Sequence, residues 1–315
     1  MLSPVVLGID FGGTKTALAV AGADGVRLGT VRVDTLAEEG AVPGFERAVA
    51  AGRALLGEVA PGRRLAAVGV ATIGIPGEEG VALAPNIPGW SELPLERLLR
   101  RAFAGAEIRL ATDVKAAARM EAESGALAGC DPAIYLNLGT GLAVCVVVGG
   151  AVLGGFNGAS GEIGYNLRNV ADVGRALDAR VPLEDVVSGK ALLAEAAPFL
   201  PDGDGAGQLF ARAAEDPRLA RVVDGFLGEL AYHLVNLTIA IDPRRIAVGG
   251  GMVRSWPALH GRLRQALDAA VPFPPDLVPA AYPYDAPLLG ALALGLEAAR
   301  ESRENLPRAA QGSAH

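Results

Sequence analysis

The sequence predicts an α/β protein built from two lobes. Its 315 residues are about twice the length of an ordinary domain, and 51% hydrophobic content is enough for a large core. Short β-branched apolar runs alternate with stretches of helical periodicity. The order strand, Gly-Thr turn, strand, glycine turn, strand occurs twice, at 5–33 and at 133–153. This internal repeat indicates one copy in each lobe.

The first half of the chain opens as a β-meander. The run Val5–Asp10 is interrupted by the turn Phe11–Lys15, because two adjacent glycines end a β-branched strand. The same pattern and turn signals predict the following elements. They are strands at Thr16–Ala21, Val26–Val33, Leu65–Gly69 and Glu107–Ala111, and helices at Gly44–Leu56, Leu95–Phe103 and from Thr112 to about Gly129.

The second half repeats the meander and then becomes mostly helical. The predicted elements are strands at Ala133–Leu138, Leu142–Val148, Ala151–Leu153 and Arg245–Val248, and helices at Phe226–Ile241 and Leu288–Ala299. We expect lobes at 1–111 and 112–285, with a C-terminal helix at about 286–302 that packs back onto the first lobe. The polar residues 303–315 are predicted to form a disordered tail.

Charge and cysteine content exclude several classes of protein. A net charge of -7 gives no general attraction to nucleic acid or to an anionic membrane. Cys130 and Cys145 are too few for a disulfide framework, and they form no CxxC pair. The N-terminal run lacks the features of a signal peptide, and no apolar stretch approaches the ~20 residues of a membrane span. We therefore expect a cytoplasmic protein that binds neither nucleic acid nor membrane.

The first glycine turn carries side chains suited to a magnesium phosphate. Gly12 and Gly13 let the backbone N–H groups approach a ligand, while Thr14 and Lys15 offer a hydroxyl and a positive charge to phosphate oxygens. Asp10, at the end of the strand, suits Mg²⁺ held through water. The alternative is a plain hairpin turn. This is not a Walker A loop, since GxxxxGK[ST] is absent.

Two further glycine turns follow strands in the second lobe. Gly139-Thr140-Gly141 matches the first turn in the internal repeat and is a second candidate phosphate contact. Gly249-Gly250-Gly251 follows a strand and would let an adenine ring lie against the backbone. The alternative for the triple glycine is a simple tight turn.

Several stretches of the chain together resemble the ROK family of repressors, open reading frames and sugar kinases. They are IDFGGTKTALAV, IGIPG, APNIPGW, LNLGTGLAVCVVVGGAVLGGFNGASGEIGY, LEDVVSG, IDPRRIAVGGG and LLGALALGL. The resemblance runs from Leu7 to about Leu296. It implies the two-lobed actin/hexokinase-like (ribonuclease H-like) ATPase fold. It also implies a kinase that uses ATP and Mg²⁺ to phosphorylate a hydroxyl of a small-molecule sugar or cyclitol.

The resemblance also implies residue roles. Asp113 matches the catalytic aspartate, which accepts the proton of the attacking hydroxyl; its alternative is a helix N-cap. Glu162 and Glu184 match ligands of sugar hydroxyls, with surface charge as their alternative. Asn86 lies in a loop that would line the same pocket, and its alternative is a turn-forming residue.

The chain departs from the family pattern at three places. Thr112 replaces an asparagine that holds a sugar hydroxyl, and Tyr165 replaces a histidine that serves both zinc and the sugar. The residues between Tyr165 and Leu183 include neither cysteine nor histidine, so we expect no structural zinc and a loop stabilised by packing instead. These changes indicate altered substrate choice with the chemistry kept. Glucose, amino sugars of the kanosamine type and C7 cyclitols remain candidates, with transfer to the position equivalent to O6.

Other function classes remain as alternatives. A catalytically inactive sugar-binding protein would share the fold, as would an ATPase or an enzyme that forms acyl phosphates. A repressor of the same family would carry an N-terminal helix-turn-helix, for which the sequence leaves no room before residue 5. The resemblance leaves a homodimer open.

Overall fold

The computed structural model describes residues 3–84, 87–201 and 203–304, which group into two compact units. The first unit contains the described residues of Met1–Met120 and Asp285–His315, and the second contains those of Glu121–Tyr284. The sequence placed the boundary after residue 111. The division instead falls within a helix, because the first turns of that helix pack on the C-terminal helix of the first unit.

The described residues form twelve strands and eight α-helices. The strands are β1 (Val5–Phe11), β2 (Lys15–Gly22), β3 (Arg27–Asp34), β4 (Leu65–Thr72), β5 (Ile75–Pro76), β6 (Val81–Ala82), β7 (Glu107–Thr112), β8 (Ala133–Leu138), β9 (Leu142–Val148), β10 (Ala151–Val152), β11 (Arg245–Gly249) and β12 (Asp276–Pro279). The helices are α1 (Ala41–Val59), α2 (Leu95–Ala102), α3 (Asp113–Ser124), α4 (Gly189–Ala196), α5 (Ala206–Ala213), α6 (Pro217–Ile241), α7 (Trp256–Ala270) and α8 (Ala286–Glu304).

The first unit is a five-stranded sheet with a helix on each face. The strand order is β3-β2-β1-β4-β7; β2 is antiparallel to its neighbours, and β1, β4 and β7 are parallel. Alternate residues of β1 point to opposite faces, so Leu7 and Ile9 join the core that includes Phe45 of α1, whereas Val6 packs with Leu292 of α8. Because β1, β4 and β7 are parallel, their carboxyl ends lie at the same edge of the sheet.

Small residues let α8 lie close to this sheet. A Cβ atom at Gly69 of β4 would overlap the carbonyl oxygen of Ala291 and lie 2.5 Å from the amide nitrogen of Gly295. A Cβ atom at Gly8 of β1 would lie 3.0 Å from the amide nitrogen of Leu292. The backbones of sheet and helix are thus in near contact.

The first turns of α3 also belong to this layer. Ala116 packs with Ala291 of α8 and Ala71 of β4, and a Cβ atom at Gly290 would overlap the Ala116 carbonyl. The N-terminus of α3 is therefore fixed to the sheet by backbone packing.

The second unit repeats the sheet topology of the first. Its order is β10-β9-β8-β11-β12, with β9 antiparallel to its neighbours and β8, β11 and β12 parallel. Leu136 of β8 and Val248 of β11 pack with Phe226 and Leu230 of α6. The matching strand orders confirm the internal repeat predicted from the two meanders.

Several element bounds differ from the sequence prediction. α1 is longer at both ends than Gly44–Leu56, and α3 stops at Ser124, since Gly125 and the following residues turn around the Glu121 carboxylate. The predicted tail is wrong at residues 303 and 304, which are helical, while 305–315 lie outside the described residues. Among the described helices, none has the length and apolar character that crossing a bilayer requires.

Candidate active site

The first glycine turn joins β1 to β2 and is open to solvent. The Gly12 N–H donates to the carbonyl oxygen of Lys15 at 3.1 Å, and a Cβ atom at Gly13 would meet nothing within 4 Å. Thr14 and Lys15 are exposed. The turn therefore presents open backbone, a hydroxyl and an ammonium group, which suits an anionic ligand.

Thr35, immediately after β3, holds this turn in place. Its hydroxyl donates to the Gly12 carbonyl oxygen at 2.7 Å, and its N–H donates to the Thr14 carbonyl oxygen at 2.8 Å. The Thr35 carbonyl accepts a hydrogen bond from Arg47 of α1, which also pairs with Glu39. Thr35 is buried. This role could not be predicted from the sequence, since the contact joins residues more than twenty positions apart.

Removing the Thr35 hydroxyl should loosen the turn. In Thr35→Val the Gly12 carbonyl loses its partner, at a cost of about 1–2 kcal/mol. We expect the free energy of unfolding to fall by that amount, measured by denaturant unfolding. Thr35→Ser keeps the hydroxyl and should behave as wild type. An unchanged free energy of unfolding in the valine variant would show that the turn holds its shape without this bond.

Asp10 lies at the end of β1 among other carboxylates. Burial, then the nearby Asp113 and Asp285 carboxylates, raise the pKa of Asp10 to about 7, while Arg32 opposes this shift. Asp285 precedes α8 and pairs with Arg32 at 2.8 Å. The sequence analysis missed Arg32 and Asp285. The pairing of Asp10 with Ala17 and of Ala17 with Arg32 brings Arg32 to Asp10 only in the folded sheet, and Asp285 is paired with Arg32 across 253 positions of the chain.

The raised pKa of Asp10 predicts a pH-dependent stability in the ligand-free protein. The folded state keeps the proton up to about pH 7, whereas the unfolded state releases it near the ordinary value of 3.8. The free energy of unfolding should therefore fall as pH rises through this window, by about 2–4 kcal/mol.

The comparison with Asp10→Asn isolates this contribution. The asparagine variant should lack the loss, and its free energy of unfolding should exceed that of wild type at about pH 8, measured by denaturant unfolding at several pH values. A constant difference between the two proteins across the window would contradict the assigned protonation.

Asp113 is the first residue of α3, directly after β7. The Thr112 hydroxyl accepts a hydrogen bond from the Lys115 N–H at 3.2 Å, so Thr112 is the N-cap of the helix and Asp113 is not. One Asp113 carboxylate oxygen accepts from the Val114 N–H at 2.8 Å. Thr112 is buried, and Asp113 is half-buried. From the sequence, Asp113 was predicted as the catalytic aspartate, with a helix N-cap as the alternative role.

The second glycine turn, in the other unit, is supported by Glu184. The Gly139 N–H donates to the Gly141 carbonyl at 3.1 Å, and the Gly139 carbonyl accepts from the Gly189 N–H at 2.7 Å. The Glu184 carboxylate accepts from the Leu142 N–H at 2.7 Å and lies against Gly141. One oxygen of Glu184 is therefore engaged with the turn, a role the sequence analysis did not anticipate.

The three glycines at the end of β11, Gly249 to Gly251, have different reasons for being glycine. A Cβ atom at Gly249 would overlap the Tyr135 hydroxyl, and Gly250 has a φ of +86°. A Cβ atom at Gly251 would meet nothing within 4 Å. Packing and backbone conformation thus explain the first two, and Gly251 is the one that leaves open backbone. A Cβ atom at Gly139 would lie 3.6 Å from the Gly251 nitrogen, so the two turns of this unit are adjacent.

The predicted acceptor residues of the second unit lie together. Burial, then the Glu184, Glu162 and Asp185 carboxylates, raise the pKa of the Tyr165 hydroxyl. Tyr165 is half-buried and ends the short 3-10 helix Ile163–Tyr165. The remaining predicted acceptor residue, Asn86, lies outside the described residues. The local charge around Tyr165 is therefore negative.

The segment between Tyr165 and Leu183 differs from the prediction. We expected packing to stabilise it, which is wrong for its middle part: Val170 and Val173 are 87% and 67% exposed. Hydrogen bonds and ion pairs hold it instead. Over the described chain, no group of three or more aspartate, glutamate, histidine or cysteine side chains is arranged to bind a metal ion. The lack of structural zinc remains a prediction from the sequence.

Comparison with known proteins agrees with these features. The ROK family model matches residues 6–298. A kanosamine kinase of Amycolatopsis mediterranei is 31% identical, over 96% of this chain and 99% of its own length. A ROK hexokinase from Thermus thermophilus has a TM-score of 0.75 and 32% identity, covering 95% of this chain and 99% of that structure. A ROK family glucokinase from Streptomyces griseus, solved with glucose and AMPPNP, has a TM-score of 0.72 and 26% identity, covering 92% and 98%.

The fold and these matches define an enzyme of the actin/hexokinase-like class. The chain belongs to the ROK family. It is a phosphotransferase of the sugar-kinase type, with an alcohol group as acceptor.

Proposed function

We propose that this enzyme transfers the γ-phosphoryl group of ATP to a primary hydroxyl, equivalent to O6, of a sugar, amino sugar or cyclitol. The observation that carries the proposal is the neighbourhood of Asp10 and Asp113. Across the sheet, Asp10 of β1 pairs with Ala71 of β4, and Ala71 pairs with Ala111 of β7. Asp113 comes two residues after Ala111, so it lies near the same end of the sheet as Asp10. Ligands of open α/β sheets bind at the carboxyl ends of parallel strands, where both carboxylates lie.

The nucleotide is assigned to the glycine turns. The exposed Gly12–Lys15 turn suits phosphate oxygens. In the other unit, Thr140 of the second turn is exposed, and Gly251 leaves open backbone. Asp10 fits Mg²⁺ because a single carboxylate, with water and phosphate oxygens, is a common ligand set for this ion. Bound there, Mg²⁺ would neutralise charge on the phosphates. The AMPPNP complex of the Streptomyces griseus relative supports ATP as donor.

Asp113 is assigned the proton transfer. The acceptor oxygen forms a bond to the γ-phosphorus, the bond from that phosphorus to the bridging oxygen breaks, and ADP leaves. The hydroxyl proton moves to the Asp113 carboxylate. Thr112 is compatible with this role, since it provides the N-cap of α3 and Asp113 is not needed for capping. The remaining catalysis comes from positioning and charge stabilisation.

The acceptor is assigned to Glu162, Tyr165 and Glu184, with Asn86 as a further ligand. The carboxylates around Tyr165 can accept hydrogen bonds from hydroxyls and favour a protonated amine. The similarity to a kanosamine kinase supports an amino sugar among the candidates. Glucose and C7 cyclitols remain alternatives, because hydroxyls alone also satisfy these side chains.

An acceptor panel tests the proposal. ADP release with Mg-ATP would be measured for glucose, mannose, N-acetylmannosamine, glucosamine, kanosamine and a C7 cyclitol. We expect turnover on at least one acceptor, well above the rate with ATP alone. ATP binding without turnover on any acceptor would favour the second candidate, a catalytically inactive sugar-binding protein of the same fold.

A further inference from the structure

The segment 166–182 of the second unit is held by polar contacts. Its valines at 170 and 173 are exposed, and Leu177 and Val181 are about half exposed, so little apolar burial stabilises it. A segment of this length without a core of its own needs other anchors to keep one conformation.

One set of anchors ties the beginning of the segment to α6. Arg168 pairs with Glu229 of α6 at 2.6 Å, with both side chains about three-quarters buried. The Asn166 side-chain amide lies 3.3 Å from Nδ1 of His233, which is buried on the same helix. Burial lowers the pKa of His233, so its ring is favoured in the neutral form that can accept this bond.

A second anchor closes the segment back onto the acceptor residue. The Arg180 guanidinium donates to the Tyr165 carbonyl at 2.8 Å and to the Asn166 carbonyl at 3.2 Å. A guanidinium is suited to this, because its nitrogens form a rigid fork that can hold two acceptors at once. Arg180, near the end of the segment, thus holds the backbone of Tyr165 and Asn166, where the segment begins.

We propose that Arg180 is a positioning residue for acceptor recognition, which fixes Tyr165 through its carbonyl group. The inference rests on the proposed function, in which Tyr165 contacts the acceptor. Arg180 bonds to the backbone carbonyl of Tyr165, so it would act on the acceptor only through the position of this residue. Loss of the fork frees the Tyr165 backbone and lets the ring leave the position beside Glu162 and Glu184.

Kinetics with Arg180→Met test this role. We expect KM for the acceptor to rise about tenfold, with KM for ATP unchanged. Arg180→Lys keeps the charge but has one nitrogen in place of the fork. Its KM for the acceptor should therefore lie between those of wild type and Arg180→Met. Arg175→Met is the matched control, since Arg175 contacts Asp172 and Ala179 inside the segment. Its KM for the acceptor should stay near wild type.

Hydrogen exchange separates this inference from the proposed function. Backbone amides of residues 166–181 should exchange about tenfold faster in Arg180→Met, while those of α6 stay unchanged. Unchanged exchange in the segment would overturn the anchor. An equal rise of both KM values, or the same acceptor KM in Arg180→Met and Arg175→Met, would overturn the positioning role. Faster exchange in a protein that phosphorylates no acceptor would contradict the proposed function and leave the anchor standing.

Discussion

Replacing Asp113 with asparagine should lower kcat about 10³-fold, since a positioned general base contributes about 10²–10⁴. Asparagine is nearly the same shape and can still accept the hydrogen bond from Val114, but it takes up no proton at neutral pH. The helix cap stays intact because Thr112 provides it. Initial rates with saturating ATP and acceptor measure the effect.

The matched control for this variant is Glu107→Gln. Glu107 is an exposed carboxylate at the start of β7, the strand that leads to Asp113. For Glu107→Gln we expect a kcat near wild type and an unchanged free energy of unfolding. A kcat for Asp113→Asn within tenfold of wild type would remove the aspartate from proton transfer.

Replacing Gly69 with alanine should produce the largest loss of stability. The added methyl group would overlap the Ala291 carbonyl and approach the Gly295 nitrogen, and both are backbone atoms of α8 that cannot rotate away. The helix must shift from the sheet, at a cost of about 3 kcal/mol or more. Denaturant unfolding of the purified variant measures this change.

Gly57→Ala in α1 is the control for glycine substitution itself. A Cβ atom at Gly57 would meet nothing within 4 Å, and alanine is favoured in a helix by about 1 kcal/mol. This variant should be slightly more stable than wild type. Equal stability of the two alanine variants would show that α8 does not lie as close to β4 as described.

The strands and glycine turns of this enzyme can be predicted from its sequence because their signals are local. Two adjacent glycines after Val5–Asp10 mark a turn whatever the rest of the chain does. The repeat of that pattern at 133–153 then anticipates the second sheet, which has the same strand order. Helix ends were less accurate, since α3 stops where the buried Glu121 accepts hydrogen bonds from later residues such as Ala126.

The supporting contacts of the site could not be predicted, since they join residues distant in the chain. In the sequence, nothing distinguishes Thr35 from other residues that follow a strand. Only the fold brings its hydroxyl to the Gly12 carbonyl oxygen. Asp285 and Arg180 are similar cases, each a charged residue whose partner depends on the fold. Gly249 is a different case, because the Tyr135 hydroxyl explains why this position is glycine, and the nucleotide contact there stays a prediction.

The central claim is that the γ-phosphoryl group moves from ATP to an acceptor hydroxyl under control of Asp113. The most direct measurement uses ATP labelled in the γ-phosphoryl group and follows the label into the acceptor by mass spectrometry. We predict a singly phosphorylated acceptor, modified at its primary hydroxyl, formed by wild type and lost in Asp113→Asn. Label released only as inorganic phosphate, or transferred equally well by the asparagine variant, would contradict the account.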